Sequence, residues 1–142
     1  MGKKRIVKKG GEGDAGSKAS SARVSKRKLE SGMVFVEATY NNTKMSVADT
    51  MGNTVLWSSS GSLGFSGAKK GTPFAAAKVG ELLGEKAAAM GMKEVSVVIS
   101  GVGAGRESSV RALSSKGIVV TSIQDRTPVP HNGCRPRRAR RM

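Results

Sequence analysis

Residues 96–113 read SVVISGVGAGRESSVRAL. The apolar run EVSVVIS at 94–100 has the composition of a buried strand in a parallel sheet. Gly101, Gly103 and Gly105 follow it, and 106–116 has the spacing of a helix with Val110 and Leu113 inward and Gly117 as its stop. A strand, a glycine turn and a helix start open a βαβ unit. Free N–H groups and the helix dipole at such a start favour an anion. The anion is not a mononucleotide. A dinucleotide fingerprint needs G-x-G-x-x-G, and here Arg106 stands near the place of the third glycine. A P-loop needs G-x-x-x-x-G-K-[ST], and no Lys follows. Arg106 opposes the dipole whereas Glu107 suits it. Two readings of this turn stand: a cation held in place by a bound phosphate, or a tight turn with a solvated arginine.

The rest of the chain builds outward from this unit. Residues 33–40, 43–49 and 54–59 read as three short strands of a meander. Asn41-Asn42 and Met51-Gly52-Asn53 are its turns. Met45 and Val47 share one face of the second strand, and Val55 and Trp57 share one face of the third. Residues 60–71, SGSLGFSGAKKG, form a glycine-rich loop carrying Phe65, Lys69 and Lys70. Its alternatives are a floppy surface loop or a backbone shaped to approach something charged. Thr72-Pro73 is a helix start, an N-cap hydroxyl followed by proline at the first helical position. Ala75, Val79, Leu82, Leu83, Ala87 and Met90 then fall on one face. Gly80 and Gly84 each cost ~1 kcal/mol against Ala, which makes sense if they press on a neighbour. A final strand covers 118–125. The order β-β-β-α-β-α-β predicts an α/β domain with a mixed five-stranded sheet and helices packed on it.

Composition bounds the function. The chain has 142 residues, with three Phe, one Trp and one Tyr, so Val, Ile, Leu, Met and Ala must form the core. No apolar run reaches the roughly 18 residues of a membrane span. One cysteine excludes an internal disulfide framework and fits a reducing compartment. The net charge of +15 divides unevenly, with +8 in residues 1–28, +1 in 29–125 and +6 in 126–142. A nearly neutral domain carrying two basic arms calls for a polyanion, and nucleic acid is the expected partner. Neither arm has the apolar face needed to lie on a membrane. The first arm lacks the h-region of a secretory signal, and its glycines and acids spoil a transit peptide. It reads as a disordered RNA-binding arm.

Catalytic constellations are absent from the pattern. His131 lies in the basic tail, and Ser108 and Ser109 have no evident base. His131 and Cys134 offer two metal ligands where a structural zinc site wants four. Glu37, Asp49 and Asp125 could converge as nuclease carboxylates do, but salt bridging or turn capping is the simpler role. A histone-like condensing protein would not need a neutral, glycine-punctuated domain. No enzyme, cofactor or metal is expected.

Several stretches together carry a family resemblance: NNT at 41–43, TPFAAA at 72–77, the turn running into GRES at 105–108, RAL at 111–113, and above all TPVPHNGCRPRRARR at 127–141. Over about residues 28–142 the chain resembles ribosomal protein eleven of the bacterial small subunit, a universal family. The resemblance implies a three-layer α/β fold of ribonuclease-H-like topology without its catalytic carboxylates. It implies a structural role on the platform of the small subunit, bridging helices of 16S rRNA and lining the cleft for the Shine–Dalgarno segment of mRNA. Small-subunit proteins seven and eighteen and initiation factor three are the implied partners, with no membrane and no homo-oligomer. The implied location is the cytoplasmic ribosome, an organellar ribosome being the alternative. The implied RNA-facing residues are Asn41, Asn42 and Thr43; Phe65, Gly67, Lys69, Lys70, Thr72 and Pro73; Gly101, Gly103, Gly105, Arg106 and Glu107; and His131, Asn132, Gly133, Cys134 and Arg135. The chain departs from the family at two places. FSGAKKGT at 65–72 stands for the commoner FRGSRKST, so Ser66 and Lys69 replace arginines and lose the bidentate fork. GVGAG at 101–105 stands for GPGPG and is less rigid.

The expected organisation is a basic arm over 1–28, an RNA-binding domain over 29–125 and an extended tail over 126–142. Arg135, Arg137, Arg138, Arg140 and Arg141 suit forked phosphate contacts, and Pro128, Pro130 and Pro136 keep the tail extended. Asn132-Gly133 is prone to deamidation and isoaspartate formation, because glycine leaves the backbone attack on the Asn side chain unobstructed.

Overall fold

A computed structural model describes residues 28–139. The arm expected over 1–28, all but its last residue, and Arg140 and Arg141 lie outside the described residues. The elements are β1 (Ser31–Ala38), β2 (Thr43–Ala48), β3 (Thr54–Ser59), α1 (Pro73–Ala89), β4 (Glu94–Ser100), α2 (Gly105–Ser114) and β5 (Val119–Asp125), with a 3-10 turn at Gly67–Gly71 ahead of α1. They follow the expected order, and β3 and β4 have the expected bounds. β1 lies two residues earlier than expected because Thr39 is drawn into the turn. Its N–H donates to the Asn42 carbonyl at 2.9 Å, and its hydroxyl accepts from the Asn42 N–H at 3.1 Å.

The five strands form one mixed sheet in the order β3-β2-β1-β4-β5. The meander β1-β2-β3 is antiparallel, whereas β4 and β5 lie parallel to β1. A meander extended by two parallel strands meets the expected ribonuclease-H-like topology. The layering differs from the expectation. Val79, Leu83 and Ala87 of α1 and Leu113 of α2 join one core with Val34, Val36, Met45, Val47, Val95 and Val97. Both helices therefore cover the same face, and the described residues make two layers rather than three. The reason is topological. Both crossovers, β3 to β4 and β4 to β5, step in the same direction across the sheet. Right-handed crossovers in one direction put their helices on one side. The other face carries Phe35, Ser46 and Trp57 in one cross-strand row, with Trp57 70% exposed.

Thr72 caps α1 as the sequence predicts, its hydroxyl accepting from the Ala75 N–H at 3.4 Å, with Pro73 at the first position. Leu82, expected inward, is only half-buried and lines a groove with Leu63 and Phe65. Gly80 and Gly84 form the seam with α2. A Cβ on Gly80 would lie 2.5 Å from the Ser109 carbonyl oxygen and 2.9 Å from the Ala112 Cβ. One on Gly84 would lie 2.9 Å from the Lys116 side chain, which also reaches Glu85 of α1 at 2.8 Å.

Two opposed effects decide the outcome of Gly80→Ala. Better helix propensity stabilises by ~1 kcal/mol, whereas forcing the helices apart costs ~1–3 kcal/mol. The clash is with backbone, which cannot rotate away, so the variant should lose stability, by up to about 2 kcal/mol. Thermal unfolding checks this: a lower Tm is expected, and a higher one would mean that the seam is loose.

Candidate nucleic-acid interface

Parallel strands bring their C-terminal ends to one edge of a sheet, and ligands of open α/β sheets bind outside that edge. Here β1, β4 and β5 end together. The β1–β2 turn at 39–42, the β3–α1 loop at 60–72, the β4–α2 turn at 101–104 and the tail from 126 all emerge there. Apart from residues at the starts of the two helices, every described residue of the expected interface sits in these four segments or at their margins.

Ser60 holds two of the segments together. It is fully buried, and its Oγ accepts from the Thr43 N–H at 3.0 Å. The same oxygen lies 2.8 Å from both Asn42 Oδ1 and the Lys70 carbonyl oxygen. Nothing in the sequence pattern singles out this serine. The loop it anchors is folded rather than floppy, with Leu63 N–H donating to the Ser59 carbonyl at 3.2 Å and Phe65 N–H to that of Ser60 at 3.3 Å. Phe65 meets Phe74 edge to face at 6.1 Å, and Lys78 Nζ lies 5.8 Å from the Phe74 ring centre. Lys69 is exposed and Lys70 half-buried at the end of the 3-10 turn, where cations suit the carbonyl end. Asn41 and Pro73 are exposed, and Asn42 and Thr72 are half-buried. Thr43 is fully buried, so its side chain supports the edge from beneath rather than facing RNA.

The glycine turn proves to be shaped by the protein itself. A Cβ on Gly101 would lie 2.2 Å from the Ala38 carbonyl oxygen, one on Gly103 2.2 Å from that of Thr39, and one on Gly105 2.4 Å from Thr43 Oγ1. The turn is seated backbone to backbone on the end of β1, and Gly103 N–H donates to the Ala38 carbonyl at 2.8 Å. Arg106 is not simply solvated. Its Nη1 donates to the Gly101 carbonyl at 2.7 Å and its Nη2 pairs with Asp125. Glu107 is exposed in the first turn of α2, where an acid suits the dipole.

The possible nuclease carboxylates do not converge. Asp49 caps the β2–β3 turn through the Thr50 N–H at 2.7 Å, at the opposite edge of the sheet. Glu37 pairs with Lys44 at 3.7 Å, and Asp125 is taken by Arg106. In the tail, His131, Asn132, Gly133, Cys134, Arg135, Arg137 and Arg138 are all exposed. Arg135 and Arg138 line one concavity around Pro136, and Asn132 adopts a left-handed φ of 57°.

The profile of the family described as Ribosomal protein S11 matches residues 32–141, which include every segment of this edge. The chain belongs to the ribosomal protein S11 family. It is 52% identical over 128 residues to small ribosomal subunit protein uS11 of Solibacter usitatus, covering 90% of this chain and 95% of that protein. It is 48% identical over 126 residues to uS11 of Synechococcus elongatus, covering 89% and 97%. With uS11 of Treponema pallidum it shares 52% over 120 residues, covering 84% and 95%. As an S11 protein it is a structural component of the small ribosomal subunit and not an enzyme, and translation is its process.

The S11 tail root has a pH signature. The Thr127 hydroxyl, the Arg106 guanidinium and the Thr127 N–H hold the Asp125 carboxyl down at about 2. A depressed folded value means that these bonds stabilise fully above the unfolded value of ~3.9. Their contribution is lost as pH falls from there through about 2. Carbon-detected NMR titration of the Asp125 carboxyl should give a midpoint of about 2, moving up in Thr127→Val. A midpoint of ~3.9 in the unaltered chain would show the bonds open in solution.

Proposed function

We propose that the chain binds and bridges helices of 16S rRNA on the small-subunit platform and helps to form the Shine–Dalgarno cleft for mRNA. One observation carries the reading: the two lysines of the β3–α1 loop and the arginines of the tail leave a nearly neutral body at a single edge. Phosphate contacts from the basic segments supply sequence-independent affinity that falls with salt. The folded edge, made of Asn41, Asn42, the 65–73 segment and the 101–106 turn, supplies shape recognition. Aromatics are too few for a single-strand stacking platform. Small-subunit proteins seven and eighteen and initiation factor three are the protein partners of this reading, in a cytoplasmic ribosome.

Affinity for small-subunit rRNA against duplex DNA of equal charge, measured across a salt series, tests it. RNA should win most clearly at high salt, where the basic segments are screened. Equal affinities with equal slopes would make the chain a general polyanion binder. Arg135→Gln should weaken binding uniformly and lower the salt slope by about 1.

Asn132 is a modification site in the same reading. It is exposed, its φ is 57°, and Gly133 follows it. Aged protein should contain isoaspartate at this position by peptide mapping with mass spectrometry, and unmodified Asn132 after long storage would refute it.

A further inference from the structure

The root of the tail is tied into a closed ring of hydrogen bonds. Arg106 Nη1 donates to the Gly101 carbonyl at 2.7 Å, and Arg106 Nη2 pairs with Asp125 Oδ2. The other carboxylate oxygen, Oδ1, accepts from the Thr127 N–H at 2.9 Å and the Thr127 hydroxyl at 2.5 Å. Gly101 N–H closes the ring by donating to Thr127 Oγ1 at 3.2 Å. Arg126 N–H, between these residues, donates to the Ile99 carbonyl at 2.8 Å. Pro128 then confines Thr127 to extended angles.

Charge makes this ring informative. Residues 126–142 carry six arginines and no acid, and Asp125 stands immediately before them. A carboxylate at the root of a phosphate-binding tail repels the ligand through space. Its presence there is offset by a local benefit that the geometry supplies. The turn that seats on β1 and the first residues of the tail become a single rigid unit. The tail then leaves the edge in one direction instead of sampling many, and the ordering cost of binding is reduced.

We infer that Asp125 and Thr127 are positioning residues that aim the C-terminal tail at RNA through the Arg106–Gly101 clasp. The inference rests on the reading of the tail as an RNA-binding segment, and it makes a prediction opposite in sign to bulk electrostatics. Removing a carboxylate from an RNA-binding edge raises affinity if charge alone matters. Removing the clasp lowers it.

The test uses the full chain and deproteinised small-subunit rRNA. Asp125→Asn should weaken binding on the order of tenfold, the cost of ordering one or two further residues. Its salt slope should be unchanged, because the same phosphates are contacted. Thr127→Val keeps every charge and should weaken binding in the same way, so the question stays open to experiment if Asp125→Asn fails to fold. Each change is repeated in a chain carrying Arg135→Gln and Arg138→Gln. There the penalty should shrink, because the tail has less to deliver. Unchanged or tighter binding by both variants overturns the clasp, as does a penalty of equal size in both backgrounds. If replacing Arg135, Arg137, Arg138, Arg140 and Arg141 together by Gln leaves affinity and slope unchanged, the tail does not bind RNA. The underlying reading then fails, and the clasp with it.

Discussion

The β4–α2 turn touches the end of β1 with no side chain between them. Three glycine positions in five residues bring its backbone against Ala38, Thr39 and Thr43, and one N–H donates to the Ala38 carbonyl. Much of the functional edge depends on that contact. It fixes where α2 begins, and so where Arg106 projects. It places the Gly101 N–H where Thr127 can accept from it. It also covers Thr43, whose own N–H donates to the Ser60 oxygen that orders the neighbouring loop. A side chain at Gly101 or Gly103 would have to displace main-chain atoms, which do not yield as the end of a flexible side chain does.

The domain separates two tasks that would conflict if mixed. Like charges packed into a small core would destabilise it, yet affinity for a polyanion needs them. The described core is built from Val, Leu, Ile, Met and Ala, and Lys69, Lys70 and Arg126 are held at the rim through their main-chain atoms. Ser60 shows the principle at small scale. One buried hydroxyl, with no charge, sets the positions of Asn42 and Lys70, whose outward parts can then face a ligand.

Much of this was legible in the chain, and what was missed shares a cause. The run at 94–100, the Thr72-Pro73 cap and the Gly80–Gly84 seam are local or periodic signals, and each appears in the structure as read. The layering was not legible, because it depends on the direction in which successive strands join the sheet. That direction is set by pairing across long stretches of chain. Glycine spacing could show that something comes close to the turn. It could not show whether the visitor is a phosphate or the chain's own backbone. Arg106 looked misplaced because its partner is 19 residues away. Ser60 was hidden because a serine among glycines looks like any loop residue. The tail arginines stood out from composition alone, since their charge is visible without knowledge of any neighbour.

Among the described residues no helix covers one face of the sheet, and this has a spectroscopic consequence. The chain has one tryptophan, and that residue, Trp57, stands exposed on this face, on the outer strand β3. Its indole emission therefore watches the sheet face rather than the candidate edge of loops and tail. Quenching or a blue shift of that single fluorophore reports burial of the helix-free face by another macromolecule. The molecule thus carries an intrinsic optical probe of that face.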